Sequence, residues 1–140
     1  FLSSLSRRAI RRVAAPTAGS VRNLNVHEYI SMELFRQNAI ATPRCYVASS
    51  TEEAEKIYMQ KLNKPGEPLA DVVIKAQVLS GGRGIGTFNN GFKGGVHIVT
   101  KPGQARDFAS KMLFEELVTS QAPNGIMCNK VLLMQRVNIR

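Results

Sequence analysis

The sequence predicts an α/β domain of the α+β type, built on a mixed sheet, and three features carry that prediction. Val72, Ile74, Ala76 and Val78 alternate with Val73, Lys75 and Gln77 at the period of a strand. Ala105, Phe108, Ala109, Met112 and Leu113 recur at i, i+3, i+4, i+7 and i+8, an apolar helical stripe. Between them runs a glycine-dense stretch from Gly81 to Gly95, which suits a loop that must turn sharply or let another backbone come close.

The other elements follow from local signals. Asn25 and Glu28 form an Asn-x-x-Glu cap, and Val26, Tyr29, Ile30 and Leu34 follow at helical spacing, so a first helix is expected over about 25 to 37. Arg44 to Ala48 reads as a short strand. Ser50-x-x-Glu53 opens a second helix with Ala54, Ile57, Tyr58 and Leu62 turned inward, and Asn63-Lys64-Pro65-Gly66 ends it. The informative strand spans Asp71 to Leu79, with Lys75 and Gln77 on the face away from the core. A further strand near Val96 to Thr100, a helix starting at Pro102 and a last strand over Lys130 to Arg136 complete the order. Helix, strand, helix, strand, glycine loop, strand, helix, strand implies the mixed sheet.

Composition agrees with a folded domain. A chain of 140 residues buries about two thirds of its unfolded surface. Apolar residues make up 44% and charged residues 21%, which argues against general disorder. No run approaches about 18 consecutive apolar residues, so no spanning helix is expected. The net charge of +9 suggests a nucleic-acid partner until its distribution is considered. Arg7, Arg8, Arg11, Arg12 and Arg22 all precede the first acidic residue, Glu28, leaving 14 basic against 10 acidic residues in the remainder. With aromatics at 6%, base stacking has little to work with, and no nucleic-acid partner is expected. Cys45 and Cys128 are too far apart for a local metal knuckle or a redox pair and read as structural thiols.

Residues 1–22 are rich in Arg, Ser and Ala and lack Asp and Glu, the composition of a mitochondrial targeting peptide bound for the matrix. The folded domain is therefore expected over 23–140. Phe1 in place of Met, and a final strand that reaches Arg140 without a turn or cap, lead us to expect a piece of a larger domain.

The sharpest chemical constellation is VVIKAQVLSGGRG, residues 72–84, which continues to Gly95. A strand fixes Lys75, glycines admit backbone N–H groups to an oligophosphate, and Arg83 adds a planar fork of donors. The P-loop pattern fails because Gly86 to Gly91 is followed by Phe92, and a dinucleotide fingerprint fails on the spacing after Gly82-Arg83-Gly84. A kinase lobe would place its glycine loop before the lysine strand. The same residues also fit a hairpin whose glycines serve only turns, with Lys75 solvated.

Four stretches, LNVHEYISMELF (24–35), VVIKAQVLSGGRG (72–84), GFKGGVHIV (91–99) and CNKVLL (128–133), together resemble the amino-terminal region of succinate-CoA ligase beta subunits. The resemblance implies the N-terminal portion of an ATP-grasp domain. It implies an enzyme that interconverts succinyl-CoA and succinate, coupled to nucleoside diphosphate phosphorylation in the citric acid cycle, with an alpha subunit as partner. The phosphoryl-carrying histidine of that family belongs to the alpha subunit, so His27 and His97 are expected to be structural. By matching motif, Lys75, Gly82, Arg83 and Gly84 are expected to contact ATP or ADP. Pro43 matches a position where proline goes with adenine-using forms, which favours the ADP-forming type. Met134 and Gln135 lie where the family usually places a glutamate against the nucleotide base, and Ile85 replaces a lysine common after the triplet. The Mg2+ ligands and the catalytic apparatus are expected beyond residue 140, so no catalytic or metal residue is assigned in this chain, and the chain alone is expected to be inert. A malate-CoA ligase beta chain would share the same glycine stretch, and a non-catalytic interaction module would need none of this chemistry.

Overall fold

The alternation around Lys75 sets the middle of the fold. In the computed structural model, which describes residues 25–137, strand β2 (Val72–Ala76) buries Val72, Ile74 and Ala76 on one face. It is an inner strand of a four-stranded sheet, between β7 (Val131–Gln135) and β4 (Val96–Val99), with β1 (Cys45–Ala48) beyond β7. All three ladders are antiparallel: Lys75 lies opposite Leu132 on one side and Val96 on the other. The α+β class expected from the sequence is the one the chain adopts, with antiparallel pairing in every ladder among the described residues. The expected leader, 1–22, lies outside the described residues.

Helices cover the core face. Helix α2 (Thr51–Lys56) begins as expected at Ser50, whose side chain accepts from the Glu53 N–H at 3.1 Å, while Glu53 reaches one residue further back to the Ser49 N–H at 2.8 Å. The chain then widens into a π-helical segment, Ile57–Leu62, in place of the single α-helix expected. Asn63 holds that widened turn, because its backbone N–H and its Nδ2 both donate to the Tyr58 carbonyl at 3.1 Å. Its Oδ1 also accepts from the Ala70 N–H, so both polar atoms of the buried amide have a partner. Ala54, Ile57, Tyr58 and Leu62 are buried as their spacing predicts. They pack with Ala105, Ala109 and Met112 of α3 (Gln104–Met112) over Val72, Ile74, Val131 and Leu133. Helix α3 begins two residues after Pro102; Gly103 takes the cap position at φ 84° and Glu55 of α2 accepts from the Gly103 and Arg106 N–H groups.

A second sheet, β3 (Thr87–Phe88), β5 (Glu116–Thr119) and β6 (Ala122–Met127), was not expected. The β5–β6 hairpin is obscured in the sequence by Pro123 and Gly125, residues that normally argue against a strand. Gly125 has φ 81° and the register shifts between Leu117 and Thr119. Inward Phe88 and Leu117 attach this sheet to the main core.

On the other face of the main sheet, helix α1 (Glu28–Gln37) covers Cys45, Leu132 and Met134 through Tyr29 and Met32. None of its residues is fully buried, and Ile30, Leu34 and Phe35 are exposed. Val96 and Ile98 of β4 share this face and are also exposed.

Replacing Ile74, wholly buried in the middle of β2, with Ala leaves a cavity under α2 and α3. Urea unfolding should show a loss of about 2–5 kcal/mol.

Candidate functional site

The pleat that buries Ile74 and Ala76 sends Lys75 to the α1 side of the sheet. An ammonium there needs a partner, and the first residue of α1 supplies one: Lys75 Nζ donates to Glu28 Oε1 at 2.7 Å. After β2 the chain turns through Gly81 and Gly82 and brings Arg83 back toward the same carboxylate, where its Nη2 pairs with Glu28 Oε2. Arg83 Nη1 also donates to the Ala76 carbonyl at 3.1 Å, which anchors the guanidinium to the end of the strand. One carboxylate thus bridges two cations, with Glu28 18%, Lys75 21% and Arg83 22% exposed, so the three charges are largely screened from water.

Burial pushes the Glu28 carboxyl up, but the Lys75 hydrogen bond and the Arg83 and Lys75 charges outweigh it and hold the group below the usual carboxylate range. Glu28 therefore does not serve as the capping-box partner of Asn25. Asn25 Nδ2 donates instead to the Leu79 carbonyl at 3.3 Å, and the cap residue, His27, makes no side-chain cap hydrogen bond. The Tyr29 N–H at the helix start donates to Gln77 Oε1 at 3.2 Å. Lys75 of β2 and the buried Gln77 just beyond it thus both bind the first turn of α1.

The six residues singled out by sequence divide into groups. Lys75 and Arg83 meet through Glu28, and Met134 joins them, its Sδ 3.9 Å from Lys75 Nζ. Pro43 precedes β1 by two positions, and the neighbouring Arg44 carbonyl accepts from the Gln135 N–H at 2.8 Å. Pro43, Met134 and Lys75 are therefore carried by three successive parts of the sheet, with Pro43 farthest from Arg83. Gly82, at φ 74°, would place a Cβ only 3.6 Å from Ser120 Oγ, and a Cβ on Gly84 would come no nearer than 3.9 Å to Val96. Both glycines are exposed and meet only ordinary van der Waals contacts; Gly82 lines a cleft of about 440 Å³ with Val26, Glu28, Ser31, Ser80 and Arg83, and Gly84 lies outside that lining. A groove of 450 Å³ between α1 and β1 lies apart from these cations; its charged residues Arg36 and Glu33 pair with each other.

The later glycines serve packing. A Cβ on Gly86 would lie 2.6 Å from the Val118 carbonyl oxygen, and one on Gly95 3.1 Å from both Ala76 Cβ and the Arg83 carbonyl oxygen. His97 belongs to this scaffold, with its Nε2 2.7 Å from the Gly94 carbonyl and its ring packed against both Phe92 and Phe108, which also contact each other. His27 stacks on Tyr29, and burial, then the Lys130 and Arg83 charges, push its pKa down, which favours the neutral ring. Cys128, buried and donating to the Lys130 carbonyl at 3.3 Å, has its thiol pushed up by burial and is a structural thiol.

Sequence reasoning placed Glu28 only in a helix cap. Nothing in its local pattern distinguishes a capping glutamate from one whose partners lie 47 and 55 residues away. Two measurements check this geometry. Gly86→Ala should cost about 1–3 kcal/mol through the clash with Val118, whereas Gly84→Ala should stay within about 0.5 kcal/mol, both read from urea midpoints. Because the folded-state pKa of Glu28 is depressed, its contribution is fully present above the unfolded carboxylate value of about 4.3 and is lost as pH falls through the lower folded value. The stability gap between wild type and Glu28→Gln should close over that acid range and stay constant above it.

Residues 25–140 match the model of the ATP-grasp domain. The chain is 46% identical over 116 residues to the beta subunit of mitochondrial succinate–CoA ligase [ADP-forming] of Neurospora crassa, covering 82% of this chain and 25% of the relative. It is 44% identical to the tomato (Solanum lycopersicum) protein of the same name, covering 85% of this chain and 28% of that one. The Schizosaccharomyces pombe counterpart is 42% identical over 97% of this chain and 31% of its own length. The chain thus spans between a quarter and a third of the length of these relatives. With the model matched across every described residue and the lysine strand leading into an open glycine turn, this chain belongs to the ATP-grasp domain family.

Proposed function

We propose that the chain is the phosphate-gripping part of the nucleotide-binding domain of a succinate-CoA ligase beta subunit of the ADP-forming type. Within the whole enzyme it would act with an alpha subunit, interconverting succinyl-CoA, nucleoside diphosphate and phosphate with succinate, CoA and nucleoside triphosphate. The observation that carries the reading is the convergence of Lys75 and Arg83 on one anionic group beside the open backbone of Gly82 and Gly84. Two cations held about one carboxylate apart can accept a phosphoryl group, Lys75 as a point charge and Arg83 through its fork of donors. The backbone N–H groups of Gly82 and Gly84 would add donors, whereas that of Gly81 already donates to Gln121 Oε1 at 2.8 Å.

The family's magnesium would neutralise phosphate charge and hold the oligophosphate in line. The described residues fit the phosphate and not the metal. Glu28 is the carboxylate at the site and both its oxygens are engaged by cations. No group of three or more His, Cys, Asp or Glu that could hold a metal ion occurs among the described residues. What these residues do is bind, orient and neutralise; proton transfer and covalent chemistry fall to other groups.

Adenine preference follows from Pro43 at the position described above and agrees with the ADP-forming names of the relatives. Met134 supplies a thioether, and no charge, beside Lys75, so any contact with the base there would run through the backbone of β7. A mitochondrial matrix location agrees with the arginine-rich residues 1–22 and with the mitochondrial names of the relatives. Among the described residues, no helix is long and apolar enough to cross a membrane.

Calorimetry on the leaderless full-length protein with magnesium should show ADP binding more tightly than GDP. Lys75→Ala and Arg83→Ala should each weaken ADP by about ten- to a hundredfold, the range of a charge-assisted hydrogen bond. Unchanged affinity in both variants would return Lys75 and Arg83 to scaffold residues.

A further inference from the structure

We propose that Glu28 is an internal stand-in for the nucleotide phosphate, a carboxylate that holds Lys75 and Arg83 in place and must release at least one of them before a phosphoryl group can enter. The inference rests on the phosphate-binding reading given above and extends it to a residue outside the lysine strand and the glycine turn.

Four observations support it. Both carboxylate oxygens of Glu28 are used, one on Lys75 at 2.7 Å and the other on Arg83, so neither cation faces the site without an anionic partner. The side chain of Glu28 is only 18% exposed, which leaves little water to screen it from an arriving phosphate. Carboxylate and phosphate are both oxyanions that bind an ammonium and a guanidinium through charge-assisted hydrogen bonds, so they compete for the same donors. Glu28 is also the first residue of α1, and the side chain it would withdraw lies at the positive end of that helix dipole.

The two cations are constrained differently, which indicates which contact yields. Arg83 keeps a second hydrogen bond, from Nη1 to the Ala76 carbonyl at 3.1 Å, so its guanidinium stays anchored when the carboxylate leaves. Among the described residues, Lys75 has besides Glu28 the weak acceptor Met134 Sδ, at 3.9 Å. With a thioether as the other neighbour, Glu28 is the carboxylate that fixes the ammonium among the described residues. Arg83 is therefore the preformed donor, and Lys75 is the group handed from Glu28 to the phosphate.

The arrangement gives Glu28 a sign opposite to that of the cations. Removing its charge takes away a competing anion, so nucleotide affinity rises, whereas removing Lys75 or Arg83 lowers it. The effect is expected on the phosphates, because the side-chain hydrogen bonds of Glu28 among the described residues go to the two cations.

The test is calorimetry of ADP and of adenosine against the full-length protein and its Glu28→Gln and Glu28→Ala variants, with Lys75→Ala and Arg83→Ala in parallel. We expect Glu28→Gln to bind ADP about tenfold tighter, the equivalent of one relieved charge contact, with adenosine affinity unchanged. Equal or weaker ADP binding by Glu28→Gln would overturn the proposal and leave Glu28 as a strut for the two cations. If the Lys75 and Arg83 variants also bind ADP normally, it is the phosphate-site reading itself that fails, a result separable from the first. The wild-type protein provides a second readout that does not depend on a variant folding. The Glu28 carboxyl carbon, followed by NMR during an ADP titration, should move toward the shift of an unpaired carboxylate, and an unmoved signal at saturation would count against displacement.

Discussion

The pleat of β2 is the constraint on which both the core and the candidate site depend. Val72, Ile74 and Ala76 are wholly or nearly wholly removed from water, and they can reach that state only if Val73 and Lys75 face the opposite way. A one-residue slip of the strand would expose Ile74 and drive an ammonium into the packing beneath α2 and α3. The apolar transfer energy that holds the core together therefore also fixes where Lys75 stands. Antiparallel ladders on both sides, to β7 and β4, leave no freedom for the strand to shift.

The opposite face is held by polar groups more than by apolar burial. Helix α1 has no wholly buried residue, yet its first turn is tied down by the Glu28 bridge and by the Tyr29 N–H to Gln77 bond. Such a bridge is costly to assemble, since three charges must leave water, and it persists because each charge is met by an opposite one. Removing the shared carboxylate leaves both cations uncompensated, so the docking of α1 and the orientation of the cations are a single arrangement. Asn63 does comparable work on the other side, where one side-chain amide satisfies the widened end of the π-helical segment and the loop returning to β2.

The glycine stretch combines two physically different demands. Gly86, Gly94 and Gly95 are where backbone or a strand neighbour comes too close for a Cβ, because β3, β5 and the end of β2 converge there. Gly82 and Gly84 meet no such obstruction, and Gly82 alone of the pair requires a left-handed backbone. The part of the stretch available to a ligand is the short turn around Arg83; the remainder is scaffold that presents it.

Most of the main sheet and its helices was legible in the sequence, because the signals there are strictly local. The alternation through Val72 to Val78, the Ser50 cap and the stripe from Ala105 to Leu113 each depend on residues within a few positions of one another, and each marks a real element, although the strand ends at Ala76 and the second helix widens after Lys56. The β5–β6 hairpin was not legible, since Pro123 and a left-handed Gly125 override strand propensity and only the pairing of Glu116 with Met127 and Leu117 with Ile126 makes those residues strands. The sequence by itself also determined that Lys75 would leave the core face and that Arg83 would follow in a glycine turn. Only the tertiary structure decided that both would close on Glu28, because the local pattern assigns that glutamate to a cap. Its actual partners are brought to it by the docking of α1 across the sheet, and a contact between groups so far apart in the chain leaves no periodic trace in the residues around it.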